Sequence, residues 1–140
     1  LNEERTMVDV QLQTEIVLET DDRVGVVAEV SRVLADMGIN VISIVVHRSG
    51  EAARVHLITS CQSHAFEALR DAGFSVEERR VILMEIPHHP GFLSRMSEAL
   101  ARKGISIEEL HATVSDDSPT GVVVFRCSND ANAVQLLRGR

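Results

Sequence analysis

A shift of 66 residues lays the second half of this chain over the first. Self-similarity at that length points to two copies of one small unit, whatever else the composition allows. Gly25 falls on Gly91, Leu34-Ala35 on Leu100-Ala101, and Gly38-Ile39-Asn40 on Gly104-Ile105-Ser106. Glu15 to Glu19 falls on Val81 to Glu85. Beyond residue 50 the shift grows to 68, which brings Ala65, Leu69 and Arg70 onto Ala133, Leu137 and Arg138. The second copy therefore carries two extra residues around Asp116 to Thr120. At 140 residues the chain matches the length prior for one ordinary domain or two very small ones, and the repeat favours the second.

The elements of each copy follow from periodicity. Ile16, Val17 and Leu18 form a short apolar run bounded by charge, the pattern of a buried strand. Asp21 or Asp22 is placed to cap a helix, in which Val26, Val27, Val30, Val33, Leu34 and Met37 recur at helical spacing until Gly38 stops it. Val41 to Val46 is rich in β-branched residues and reads as a strand, His47 to Glu51 as a turn, and Val55, Leu57 and Thr59 as a returning strand. A second helix carries Ala65, Phe66, Leu69 and Ala72 and ends at Gly73; Phe74 to Glu78 is the last strand. In the second copy a strand starts at Val81, and Pro90-Gly91 opens a helix striped by Phe92, Leu93, Met96, Ala99 and Leu100. Ile105 to Val114 and Gly121 to Cys127 form its strand pair, and Ala131 to Leu137 its last helix.

The order is β-α-β-β-α-β and then β-α-β-β-α. This predicts an α+β chain of two tandem ferredoxin-like (βαββαβ) domains, with antiparallel sheets and helices on one face. The expected division is 1–14 as an N-terminal extension, 15–80 as the first domain and 81–140 as the second, whose last strand is missing. Met7 to Leu12 alternates at Val8, Val10 and Leu12, and is the candidate to fill that edge as an added strand. Units of about 65 residues make thin cores, and open sheet edges favour assembly, most simply a homodimer.

Composition narrows the function. The net charge is −7, with four Phe and neither Tyr nor Trp, so the basic footprint and stacking platforms of a nucleic-acid binder are absent. No apolar run approaches the roughly 20 residues of a membrane helix, and no secretory signal is legible, so a cytoplasmic setting is expected. The chain opens on Leu rather than Met, so an upstream residue or segment is expected to have been removed. Cys61 and Cys127 both end strand-like runs and are expected to be reduced thiols. No Cys-x-x-Cys spacing exists and the six histidines are scattered, so no metal site is predicted, and no cofactor is expected.

A strand, then Pro-Gly followed by apolar residues opening a helix, then a Gly-Ile-Asn/Ser entry into the next strand, resembles the ACT domain. The residues that carry the resemblance are Pro90-Gly91-Phe92-Leu93 with Gly104-Ile105-Ser106-Ile107, and Val24-Gly25-Val26-Val27 with Gly38-Ile39-Asn40-Val41. The first copy departs from the pattern, with Arg23-Val24 where Pro is common. The chain as a whole resembles small stand-alone tandem ACT proteins that bind amino acids. The resemblance implies a regulatory role in which an effector held between domains steers a metabolic enzyme or a transcriptional regulator, with no catalytic residue.

A physical site can be argued beside the resemblance. A helix N-terminus presents unpaired N–H groups and partial positive charge, which suits a carboxylate. Gly25 and Gly91 let a ligand approach the backbone closely. Asp22, or Asn40 reaching across from a neighbouring domain, would accept from an ammonium group. The candidate ligand-binding residues are thus Asp22, Arg23, Val24, Gly25, Val26 and Asn40 in the first copy. In the second they are His88, His89, Pro90, Gly91, Phe92 and Ser106. Each has a plainer role available: Asp22 as a helix cap, the glycines in packing, Asn40 in a turn, Arg23 and the two histidines in solvent.

Three other readings compete. Arg23 with Asn40 superficially fits an acylphosphatase-like enzyme, although Asp21 and Asp22 would repel a phosphate. Six histidines (His47, His56, His64, His88, His89 and His111) supply ligands for a metal-responsive module. In a strand, His56 would lie opposite Val55 and Leu57, exposed and paired with a neighbour. The third reading is a pure dimerisation module.

Overall fold

The computed structural model describes residues 9–87, 90–114 and 117–138. In chain order the elements are β1 (Asp9–Asp21), α1 (Val26–Asp36), β2 (Val41–Ser49), β3 (Ala52–Thr59), α2 (Gln62–Asp71) and β4 (Ser75–Pro87). They continue with α3 (Phe92–Arg102), β5 (Ile107–Val114), β6 (Thr120–Cys127) and α4 (Asp130–Arg138). The architecture is α+β and ferredoxin-like with antiparallel strand pairing. The chain divides into two compact units, one of Thr14–Arg79 and one of Arg80–Arg140 with the N-terminal residues up to Gln13.

In the Thr14–Arg79 unit the strands run in the order β2-β3-β1-β4. Period-two alternation puts Ile16 and Leu18 of β1 on one face, and the register sets them opposite Leu57 and Val55 of β3. Helix α1 buries Val26, Val30 and Leu34, a stripe at i, i+4 and i+8, and α2 buries Ala65 and Leu69. All of these belong to one cluster, so both helices cover the same sheet face. Each fully buried Leu or Val there contributes roughly 1.5–3 kcal/mol relative to exposure.

The other unit has the order β1-β4-β6-β5. Its cluster gathers Ile82, Met84, Leu100, Phe125 and Leu137, and Val10 of β1 is buried in the same cluster. Arg138 Nε donates to Val10 O at 2.9 Å, tying the end of α4 to that strand. Met7 and Val8 of the segment expected here lie outside the described residues.

Local bonds recur at the repeat's own spacing. Ile39 N donates to Leu34 O at 2.9 Å, and Ile105 N to Leu100 O at 3.0 Å, closing α1 and α3 alike. Asn40 N and Ser106 N donate at 3.0 Å to the hydroxyls of Ser60 and Ser128 respectively. Gly38 (φ 71°) and Gly104 (φ 73°) provide the left-handed residue that ends each helix.

Several boundaries differ from the sequence expectation. β1 is one strand of 13 residues rather than a short run at Ile16, because no Gly or Pro interrupts Asp9 to Asp21. β4 likewise runs unbroken across the expected boundary at residue 80. His47, Arg48 and Ser49 belong to β2 rather than to a turn, since the reversal needs only Gly50 (φ 66°) and Glu51.

Both cysteines are free thiols, and they differ in environment. Burial pushes the Cys127 thiol up to about 11, reinforced by the Asp130 carboxylate that accepts its S–H at 3.2 Å. Cys61 is half-buried at the start of α2. A maleimide or an aromatic disulfide at neutral pH is therefore expected to label one thiol per folded chain, at Cys61, and a second only in denaturant. Peptide mapping reads this; fast labelling of Cys127 in the folded protein would contradict the packing of β6 against α4.

Candidate functional site

The strand-to-helix connection ahead of α1 is built by Asp22, Arg23, Val24 and Gly25. Gly25 is the N-cap of α1, at φ 94° and ψ 4°, and no side chain caps the helix. Its carbonyl accepts from Glu29 N at 2.9 Å, the first bond of the helix. A Cβ added at Gly25 would meet no atom within 4 Å beyond its chain neighbours, so the space beside its Cα is open. That uncapped, left-handed helix start is what an incoming carboxylate needs.

Neither Asp21 nor Asp22 caps α1, which corrects the sequence expectation. Asp21 ends β1, and the Asp22 carboxylate accepts from Arg48 Nε at 2.8 Å while its N–H donates to Glu51 O at 3.0 Å. Asp22 is thus anchored to the β2–β3 turn. Arg23 pairs with both carboxylate oxygens of Glu29 in the first turn of α1. That hydrogen bond, with the charge of Arg23 itself, holds the Glu29 carboxyl below its usual range. Val24 is fully exposed, and Val26 is buried in the core. Asn40 exposes its side chain at the entry to β2. It stands beyond the other end of α1, whose 11 residues span about 16 Å. One small amino acid cannot touch Gly25 and Asn40 of the same unit.

The equivalent position ahead of α3 is different. Gly91 is again a left-handed N-cap (φ 91°) without a side-chain cap. Here, however, a Cβ would lie 3.3 Å from Arg95 Nη1, so the guanidinium occupies the approach. Arg95 also lies over the ring of Phe92, at 5.7 Å from its centroid. Pro90 is exposed in the preceding turn, Phe92 is partly buried against the core, and Ser106 repeats the backbone role of Asn40. His88 and His89 lie outside the described residues.

A polar group that sequence reasoning missed sits across the Thr14–Arg79 unit, on the sheet face away from its helices. His56 is buried rather than exposed, which corrects the expectation, and Glu15 is buried beside it. Arg79 Nε donates to Glu15 Oε1 at 2.9 Å, and His56 Nδ1 lies 3.2 Å from the same oxygen. His56 Nε2 faces His47 Nε2 at 3.2 Å. Burial alone would raise the Glu15 carboxyl, but the hydrogen bonds and charges of His56 and Arg79 outweigh it and hold the group below its usual range. The available signal was the near-continuous run Val55-His56-Leu57-Ile58, which suits a strand buried on both faces: Val55 and Leu57 face the helices, while His56 and Ile58 are buried on the other side.

Comparison with known proteins follows the same outline. The ACT domain family model matches residues 14–65. The fold is similar to that of protein BT0572 from Bacteroides thetaiotaomicron, at 24% identity and a TM-score of 0.86, covering 93% of this chain and 89% of that one. It is also similar to the ligand-free regulatory subunit of aspartate kinase from Thermus thermophilus, at 21% identity and a TM-score of 0.66, covering 96% and 98%. The corresponding subunit from Thermus flavus gives 22% identity and 0.65, covering 96% and 94%. No curated protein matches the chain. Among the described residues no helix is long and apolar enough to cross a membrane.

Proposed function

We propose that this protein is a regulatory, non-catalytic binder of a small effector, an amino acid, built as two tandem ACT domains. The observation that carries the proposal is the start of α1: a left-handed Gly25, no side-chain cap, and open space beside the Gly25 Cα. The effector's carboxylate docks there. Its ammonium group is received by a neighbouring domain, through a side chain such as Asn40, because α1 separates the two positions within one unit. The Gly91 site, with Arg95 across its approach, differs in ligand or stays empty.

A homodimer supplies that neighbour. β2 is a sheet-edge strand, and it exposes Ile42, Ile44 and Val46, an apolar edge that a second copy would cover. The likeness to aspartate kinase regulatory subunits supports a metabolic enzyme, or a regulator of one, as the partner informed. The acylphosphatase-like alternative is disfavoured because Arg23 is already neutralised by Glu29. Effector binding shifts domain packing by no more than its differential affinity for the two arrangements.

The test is a thermal-shift screen of the twenty amino acids, followed by calorimetric titration of each hit and sizing with and without ligand. One amino acid at 100 times its dissociation constant is expected to add about 2.7 kcal/mol of stability. Silence across the panel, from folded protein, would overturn the reading.

A further inference from the structure

We propose that His47 and His56 form a binding site for a divalent transition-metal ion, with Zn2+ as the probe, independent of the effector site at Gly25. The register of β2 and β3 pairs Val45 with His56 and His47 with Arg54, so the two histidines are diagonal neighbours on one sheet face. Their Nε2 atoms are 3.2 Å apart, and the rings are 22° from parallel with centroids 5.2 Å apart. An ion about 2.0–2.1 Å from both nitrogens would subtend roughly 100° between them, close to the tetrahedral angle zinc prefers. The two imidazoles already stand at ligand spacing without either strand moving.

Glu15 and Arg79 compete for the other ring nitrogen of His56. His56 Nδ1 lies 3.2 Å from Glu15 Oε1 and 3.0 Å from Arg79 Nη2, and it can donate to the first or accept from the second, never both. When Nδ1–H donates to Glu15, the lone pair is left on Nε2, aimed at His47. A metal-bound histidine is characteristically backed in this way by a carboxylate on its other nitrogen. The ion then takes the place of the single proton held between the two Nε2 atoms. That proton moves to Nδ1 of His47, so binding needs no net proton release. Arg79 is paired with Glu15, so its positive charge is locally compensated. Of the two ligands, His47 is the exposed one and His56 the buried one.

The experiment is titration of the full chain with Zn2+ against a chromophoric chelator, repeated with Co2+ to read the ligand-field spectrum. The variants are His47→Ala, Glu15→Gln and His64→Ala, each checked by circular dichroism. His64 serves as the control because its Nδ1 lies 3.2 Å from Cys61 Sγ, a competing donor pair. One saturable equivalent is expected in the parent. His47→Ala should weaken it at least tenfold, Glu15→Gln by roughly 10–100-fold, and His64→Ala should leave it unchanged. Absence of saturable binding, binding indifferent to His47→Ala, or binding lost in His64→Ala would each overturn the proposal. Since His47 is an exposed side chain, its variant keeps the fold and the test stays decisive.

Discussion

Gly25→Val is expected to abolish binding of the amino-acid effector, a loss of more than a hundredfold read by calorimetry. The argument rests on two properties of the position. First, its φ of 94° lies in the left-handed region, where a β-branched residue costs on the order of 1–3 kcal/mol, so the helix start is strained. Second, a side chain there enters space that is now open, at the helix start proposed to receive the carboxylate. Gly25→Ala separates the two effects: it carries about the same backbone cost with one methyl group, and should weaken binding less than valine does. Gly91→Val is the companion variant. There the new side chain meets the Arg95 guanidinium, so an effector bound at Gly25 should be unaffected. Binding by Gly25→Val within a few-fold of the parent would remove the α1 N-terminus from the site.

Phe125→Ala should be the most destabilising single truncation of the core. Phe125 is the largest fully buried side chain, and in β6 it stands opposite Ile82 of β4 and Leu110 of β5. Its removal loses the transfer free energy of the ring and leaves a cavity in the cluster that holds Met84, Leu100 and Leu137. The expected cost is about 3–5 kcal/mol. For a chain of this size that lowers the melting temperature by on the order of 10–20 °C. Val24→Ala, at a fully exposed position, should stay within about 0.5 kcal/mol and serves as the control in urea unfolding. A cost below about 1 kcal/mol for Phe125→Ala would mean that β4, β5 and β6 do not pack as described.

How much of this was legible in the sequence varies by residue. The stripes Val26-Val30-Leu34 and Met96-Ala99-Leu100, and the stops at Gly38 and Gly104, depend on contacts within a few residues of one another. Periodicity reports them directly. The run from Asp22 to Gly25 could be singled out for the same reason. What Asp22 does could not: it was equally suited to cap α1, but the β2–β3 turn brings Arg48 beside it, and an ion pair with Arg48 is what forms. Strand extent was misjudged at β1 and β4 because a charged residue in a strand resembles a boundary until its partner is known. Glu15 looked like the edge of an apolar run and is a buried anion.

The sequence by itself determined the alternation of strands and helices and the glycines that start α1 and α3, since these are written in local spacing. Only the tertiary structure decided which polar groups meet. Glu15, His47, His56 and Arg79 come from four different strands, and strand pairing alone sets them within hydrogen-bond reach. Register is a cooperative outcome of core burial, because a slip by one residue would turn every side chain of a strand to the other face. The two glycines differ for a local reason instead: Gly25 opens to solvent, whereas Gly91 lies under Arg95 from the first turn of its own helix, a difference that equal backbone angles do not reveal.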